Sequence, residues 1–197
     1  MCKAIEMLMR EHRFIETMLN TLEVFAERLE PGTASDRVVV RDFGDFFAEF
    51  ADRCHHGKEE EGLFRKMEEH GIPNDHGPIA VMLSDHREGR EHVAVFHEVG
   101  AGDGPLSPEE CEAVKRHATQ YADHLRAHIQ KEDNVLYPMS EQLIPDEEMD
   151  RLARDFERFE EDVMGAGAHE RYHEMGRRLA RQYPRAAESG AASGLRR

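Results

Sequence analysis

The sequence has no tryptophan, only three cysteines and a shortage of basic residues, and each shortage closes off a class of protein. With Lys+Arg 26 against Asp+Glu 41, the formal net charge is -15. A general nucleic-acid binder neutralises phosphates with Lys and Arg, and an anionic membrane surface demands the same, so neither is an expected partner. Cys2, Cys54 and Cys111 are odd in number and scattered, which argues against a disulfide scaffold. No apolar run approaches the roughly 20 residues that span a bilayer. Met1-Cys2-Lys3-Ala4 leads directly into a charged amphipathic stretch, without the apolar core of a signal peptide. The expected location is the cytoplasm. Alternating β-branched runs are missing too, so strands are not expected. Histidine is what the chain has in excess, with 13.

Turn signals divide the 197 residues cleanly. Pro/Gly clusters stand at Glu30-Pro31-Gly32, Gly71-Ile72-Pro73-Asn74, Gly100 to Pro105 and Ile144-Pro145-Asp146, with a further break at Gly165-Ala166-Gly167. Between them the periodicity predicts helices over about 3–29, 36–69, 79–99, 107–143, 146–163 and 168–182. Ser107-Pro108-Glu109-Glu110 reads as an N-cap with Pro at the first helical position. The expected fold is all-α: an antiparallel up-down four-helix bundle over 1–143 and a two-helix C-terminal extension over 144–184 packed on it. The stretch 185–197, dominated by Ala, Gly, Ser and Arg, has the composition of a disordered tail. A monomer or weak homo-oligomer is expected.

The four bundle helices each carry an apolar stripe at steps of three and four. The first runs Ile5, Leu8, His12, Ile15, Leu19, Leu22, Ala26 and Leu29; the second Phe43, Phe47, Phe50, Ala51, His55, Glu59 and Leu63. The third gives Ile79, Met82, His86, Val93 and Phe96, and the fourth Val114, Ala118, Tyr121, Leu125, His128, Glu132, Val135 and Met139. Every stripe is interrupted by a His, or by a His with a Glu one turn later.

Two of these segments repeat one another. Aligned without a gap, His55 matches His128, Lys58 matches Lys131, Glu59 matches Glu132, and Leu63-Phe64 matches Leu136-Tyr137. His56 and Glu60 have the same spacing, but their counterparts are Ile129 and Asp133, so His55 and Glu59 are read as the inward pair. Spacing of i, i+4 sets imidazole and carboxylate on one helix face. In antiparallel helices His12 and His55 lie equally far from the turn near residue 33, and Glu59 and His86 equally far from the turn near residue 73. The third and fourth helices fit less well, and the Gly-rich segment 101–106 must climb between them.

A lone His on an apolar stripe is ordinarily a hydrogen-bonded core residue. Two buried Glu are different, because an unpaired carboxylate in a core is costly and calls for a cation. Mixed imidazole and carboxylate suit iron or manganese, and six ligands are too many for one closed tetrahedral zinc. Carboxylates able to bridge imply two metals.

His12, the His55…Glu59 pair, His86 and the His128…Glu132 pair reproduce the H–HxxxE–H–HxxxE pattern, and over residues 3–143 the chain resembles hemerythrin-like (HHE cation-binding) domains. The resemblance implies two iron ions in a four-helix bundle, joined by oxo or hydroxo and by both glutamates, with the six residues as metal ligands. It also implies a small ligand: O2, peroxide or nitric oxide. A non-catalytic iron sensor or store is the alternative. The oxygen carriers of this family have a fifth His one turn after the third-helix His, where this chain has Arg90, so an imidazole-poor centre is expected. His124, one turn before His128, is the candidate substitute or an outer partner, and Arg90 either holds an anionic ligand or points outward.

His169-Glu170-Arg171-Tyr172-His173 matches the HExxH motif of zinc peptidases, a remote alternative function. Leu179 stands where the longer form of that motif needs its third His, so the segment is expected instead to pack on the bundle, with His169 and His173 lining access to its site. Cys54 reads as a small core residue, and His56, His70, His76, His92 and His97 as surface positions.

Overall fold

The computed structural model describes residues 1–165 and 167–185. The tail expected from 185 onward therefore lies outside the described residues, apart from Arg185, which donates to Asn20 Oδ1 at 2.9 Å. Among the described residues every regular element is helical. The helices are α1 (Lys3–Arg28), α2 (34–69), α3 (Gly77–Ala101), α4 (108–143), α5 (146–164) and α6 (Ala168–Gln182). The predicted breaks fall between them or at their ends, Gly100 and Ala101 closing α3 and Asp146 opening α5. Ser107 caps α4 as expected: its Oγ accepts from the Glu110 N–H at 3.2 Å, and the Glu110 carboxylate accepts from the Ser107 N–H at 2.7 Å. The chain reverses between α5 and α6 through Gly165 and Gly167, at φ 78° and 74°, a left-handed conformation that glycine adopts without steric cost.

Three of the helices are not uniform. π-helical winding occupies Phe46–His56 and Glu59–Leu63 of α2, Glu132–Leu136 of α4 and Glu160–Met164 of α5. A π turn closes i→i+5 bonds and rotates less per residue than the about 100° of an α-helix, so faces predicted with α spacing shift. Val135, expected on the inward stripe of α4, is 54% exposed, and Leu136 is buried in its stead. His56, expected at the surface, is buried on α2.

The core is in two parts. One apolar cluster gathers Leu19, Phe25, Phe43, Phe47, Phe96 and Val114, and the other Leu8, Leu63, Phe64, Met67, Ile79 and Met82. Burying each such side chain contributes on the order of 1.5–3 kcal/mol. The buried His and Glu residues interrupt the stripes between these clusters.

The awkward climb from α3 to α4 is held by Arg37, a residue no periodicity pointed to. Its buried guanidinium donates to the carbonyls of Val99, Gly104 (2.8 Å) and Pro105 (3.1 Å) and forks onto the Glu110 carboxylate at 2.9 and 2.7 Å. Loop carbonyls beyond the end of α3, at Gly104 and Pro105, thereby gain a donor, and Val99, already bonded to the Gly102 N–H, gains a second.

The C-terminal extension docks through the repeat segment itself. A Cβ on Gly62 would lie 2.7 Å from Phe156 Cε1, and one on Gly57 2.7 Å from Phe159 Cζ, so two rings of α5 rest directly on the backbone of α2. On α6, His173 stacks on Phe14 of α1 at 4.3 Å, and Leu179 is fully buried.

Phe156→Ala is expected to lower the unfolding free energy by about 3–5 kcal/mol, read by urea denaturation at fixed metal content. A loss within the roughly 0.5 kcal/mol of an ordinary surface substitution would show that α5 does not depend on that contact.

Candidate metal centre

All six residues predicted from the sequence meet at one level of the fold. His12 from α1, His55 and Glu59 from α2, His86 from α3, and His128 and Glu132 from α4 are each at most 1% exposed. The imidazoles converge through Nε2. His12 Nε2 lies 3.2 Å from Glu132 Oε2, His128 Nε2 3.2 Å from Glu132 Oε1, and His86 Nε2 3.5 Å from Glu59 Oε2. His55 Nε2 is 3.8 Å from Glu59 Oε2, and the Nε2 atoms of His86 and His128 are 3.2 Å apart.

A fifth imidazole joins them. His56 stacks on His86 with ring centroids 3.8 Å apart and planes 9° from parallel. Two overlapping groups result, His12–His55–Glu59–Glu132 and His56–Glu59–His86–His128, each able to offer ligand atoms within 4.8 Å of one another and sharing Glu59. The repeat alignment set His56 aside because its counterpart is Ile129, but the π winding over Phe46–His56 precedes only the first copy of the repeat and turns His56 inward. Its legible signal is an acid one turn earlier, Asp52.

Around the imidazoles runs a second layer that the sequence reading missed. Each Nδ1 meets a carboxylate: His12 with Asp133 at 2.7 Å, His55 with Glu11 at 2.9 Å, and His56 with Asp52 at 3.2 Å. His86 meets Glu60 at 2.7 Å, and His128 meets Asp85 at 3.2 Å. An ionised carboxylate only accepts, so each Nδ1–H donates and each Nε2 keeps its lone pair for the centre. Four of these bonds form a closed circuit: α1 orients the His of α2, α2 that of α3, α3 that of α4, and α4 that of α1. The missed signal is adjacency, because Glu11, Glu60, Asp85 and Asp133 are all chain neighbours of inward residues.

A third layer is cationic. Lys58 donates to Glu11, Lys131 to Asp85, Arg13 to Asp133, and Arg90 to Glu60 at 2.8 Å. The Lys58/Lys131 match in the repeat is thus structural: each lysine secures the acid that orients the His three residues before it. Arg90 neither faces the centre nor points freely outward. Its Nε also donates to Asp52 Oδ1 at 2.8 Å, so it clamps the acids of both His56 and His86. His124 stays outside the centre, bonded through Nε2 to the Asp85 carbonyl at 2.9 Å.

Four buried atoms have no hydrogen-bond partner among the described residues: His55 Nε2, Glu59 Oε2 and both carboxylate oxygens of Glu132. With protons on Nδ1, the Nε2 lone pairs face carboxylate oxygens, an arrangement that a cation between them satisfies. Where no metal sits, a proton takes that part. Burial disfavours the charged form of His128, yet Glu132 and Asp85 carry it up to about 9. Burial, then repulsion from Glu132, pushes Glu59 well above the usual carboxylate range. Glu132 is held well below that range despite its burial, because His128 and His12 face it. Burial and then the neighbouring His12 bring His55 down to about 3. Tyr137 completes the centre, its hydroxyl donating to Glu59 Oε1 at 2.6 Å and lying 3.2 Å from His12 Nε2.

A cavity of about 220 Å³, lined by Asp52, His56, His86, Arg90, Val93 and Tyr121 among others, reaches the imidazoles from outside. Cys54 is the small buried residue expected, its thiol pushed up to about 12 chiefly by burial. In the HExxH segment Glu170 is 73% exposed and accepts from Arg177 at 2.6 Å.

Residues 3–140 match the family model described as the hemerythrin HHE cation binding domain. No curated protein and no solved structure matches the chain.

Asp85→Asn and Asp133→Asn keep the shape of the second layer but remove its charge. Each is expected to weaken metal binding by about 10–100-fold in a chelator competition, with helix content unchanged. Undiminished affinity in both would show that the acids do not orient the imidazoles.

Proposed function

This chain belongs to the hemerythrin HHE cation-binding family, and on that premise we propose that it holds two iron ions in a non-haem dinuclear centre that takes a small oxygen-derived ligand. The observation that carries the reading is the set of four unpartnered buried atoms between two carboxylates and five imidazoles. In this reading His12 and His55 serve one ion, His56, His86 and His128 the other, and Glu59 and Glu132 are shared. The closed circuit of Nδ1 hydrogen bonds fits four helices running antiparallel, up and down. Iron suits a mixed imidazole and carboxylate set with more donors than a tetrahedral zinc accepts.

Bound iron supplies redox change and an exchangeable position. The chain supplies the surroundings. The two apolar clusters flank the centre, and the cavity beside His56 and His86 gives a small ligand such as O2, peroxide or nitric oxide access to the imidazoles. Tyr137 places an O–H, a proton donor, against Glu59 and His12. That hydroxyl favours reaction with a peroxide-level oxidant. Reversible O2 binding is the second reading, favoured by His56, which supplies the fifth imidazole that Arg90 had seemed to deny. An iron store or sensor is the remaining alternative.

Elemental analysis is expected to give two irons per chain, and Glu59→Ala or Glu132→Ala to abolish the pair. One zinc per chain, unchanged in both variants, would refute the dinuclear reading.

Exposure of the reduced, iron-loaded protein to O2 followed by degassing separates the two ligand readings. Irreversible oxidation is expected, and hydrogen peroxide added to the reduced protein is expected to be consumed as its oxidant, with Tyr137→Phe slower by about 10²-fold, the lower range for a positioned acid. A stable oxygenated band that vanishes on degassing, with ferrous iron recovered, would establish the carrier reading instead.

A further inference from the structure

The last two helices bring together a cluster that the buried centre does not use. Glu11 of α1, Glu160 at the end of α5 and His169 at the start of α6 each offer a ligand atom within 4.8 Å of the other two. His173 follows one turn later on the same helix, its ring centroid 4.5 Å from that of His169. All four line one cavity of about 340 Å³, together with Met7 and Arg10. We propose that this cluster is a second, mononuclear site for a first-row divalent cation, distinct from the dinuclear centre.

The donors suit that class of ion. Two carboxylates with one or two imidazoles form a mixed oxygen and nitrogen set accepted by Mn2+, Fe2+ and Zn2+ alike, and the cavity leaves room for water to complete the coordination. Donors held at about 2.0–2.2 Å on opposite sides of one ion stand up to about 4.4 Å apart. The three ligand atoms lie within 4.8 Å of one another, so a bound ion draws the side chains together into the space the cavity leaves. The imidazoles are available: neither ring has a hydrogen-bond partner among the described residues, and their contacts are the faces and edges of Phe14, Phe50 and each other.

The carboxylates are already arranged about a cation. Lys58 donates to Glu11 and, at 2.5 Å, to Glu160 Oε1, so both acids turn toward one positive charge. A divalent ion joins them from the cavity side, where His169 stands. Glu11 also accepts from His55 Nδ1 at 2.9 Å, which sets the site one carboxylate away from the buried imidazoles. The HExxH match thus has a physical content other than peptidase chemistry: its two His share a face with Glu11 and Glu160, while Glu170 faces solvent.

Mn2+ is the probe. The iron-loaded protein is dialysed against Mn2+, and bound and free ion are counted by electron paramagnetic resonance. Wild type is expected to bind one Mn2+ per chain more than His169→Ala, with iron content and iron absorbance the same in both. Glu160→Gln is expected to lose at least the roughly tenfold in affinity that even an outer partner of a metal site is worth. Equal Mn2+ stoichiometry and affinity in wild type and both variants, or no Mn2+ uptake by wild type, would overturn the proposal. Iron content other than two per chain counts against the dinuclear reading alone, because the difference between wild type and His169→Ala still measures this site.

Discussion

Two carboxylates buried side by side set the terms for the rest of the molecule. Glu59 and Glu132 are fully enclosed, and three of their four oxygens have no donor among the described residues. Placing one ionised carboxylate in a core costs several kcal/mol even after relaxation, and two of them repel. A fold that keeps both must supply positive charge between them. Imidazoles aimed inward through Nε2 offer lone pairs to a metal when one is bound; when it is not, His12 and His128 are held protonated against Glu132 and burial keeps Glu59 protonated.

That requirement propagates outward in layers. A neutral imidazole can point its lone pair inward only if its other nitrogen is satisfied, and here acids do this on every one of the five rings. Those acids are themselves half-buried or buried, so they need cations, which Lys58, Lys131, Arg13 and Arg90 provide. The circuit passes from each of the first four helices to the next, which makes it a tie between helices as well as an orienting device. Hydrogen bonds to charged groups contribute roughly 1.5–3 kcal/mol each, so the circuit adds to the two apolar clusters in holding the level of the helices.

The π turns and the glycines belong to the same construction. Wide turns beginning at Glu59 and at Glu132 occupy equivalent places in the repeat, and the longer π segment before His56 turns that residue into the centre. Gly57 and Gly62, on either side of Glu59, let Phe159 and Phe156 of α5 rest on the backbone there. The extension is thereby positioned against the metal-facing stretch of α2, which brings Glu160 to Lys58.

Much of this was legible in the sequence. Pro/Gly breaks and apolar periodicity placed all six helices, because both are local properties of the chain. The internal repeat singled out His55, Glu59, His128 and Glu132, and equal distances from the turns brought His12 and His86 to the same level. What local reasoning could not supply depends on neighbours distant in the chain or on helical winding. Arg37 closes a loop more than sixty residues away. Arg90 looks like a vacancy in the ligand pattern until Asp52 and Glu60 are seen beside it. Glu11, Glu160 and His169 come from three separate helices and share no motif. The sequence by itself determined which residues are helical, most of each apolar face, and the burial of Glu59, Glu132 and four of the five central imidazoles, since periodicity encodes burial. Only the tertiary structure decided which nitrogen each imidazole turns inward, that His56 joins the centre and which acid serves which ring, because those depend on helix phase and on side chains meeting across space.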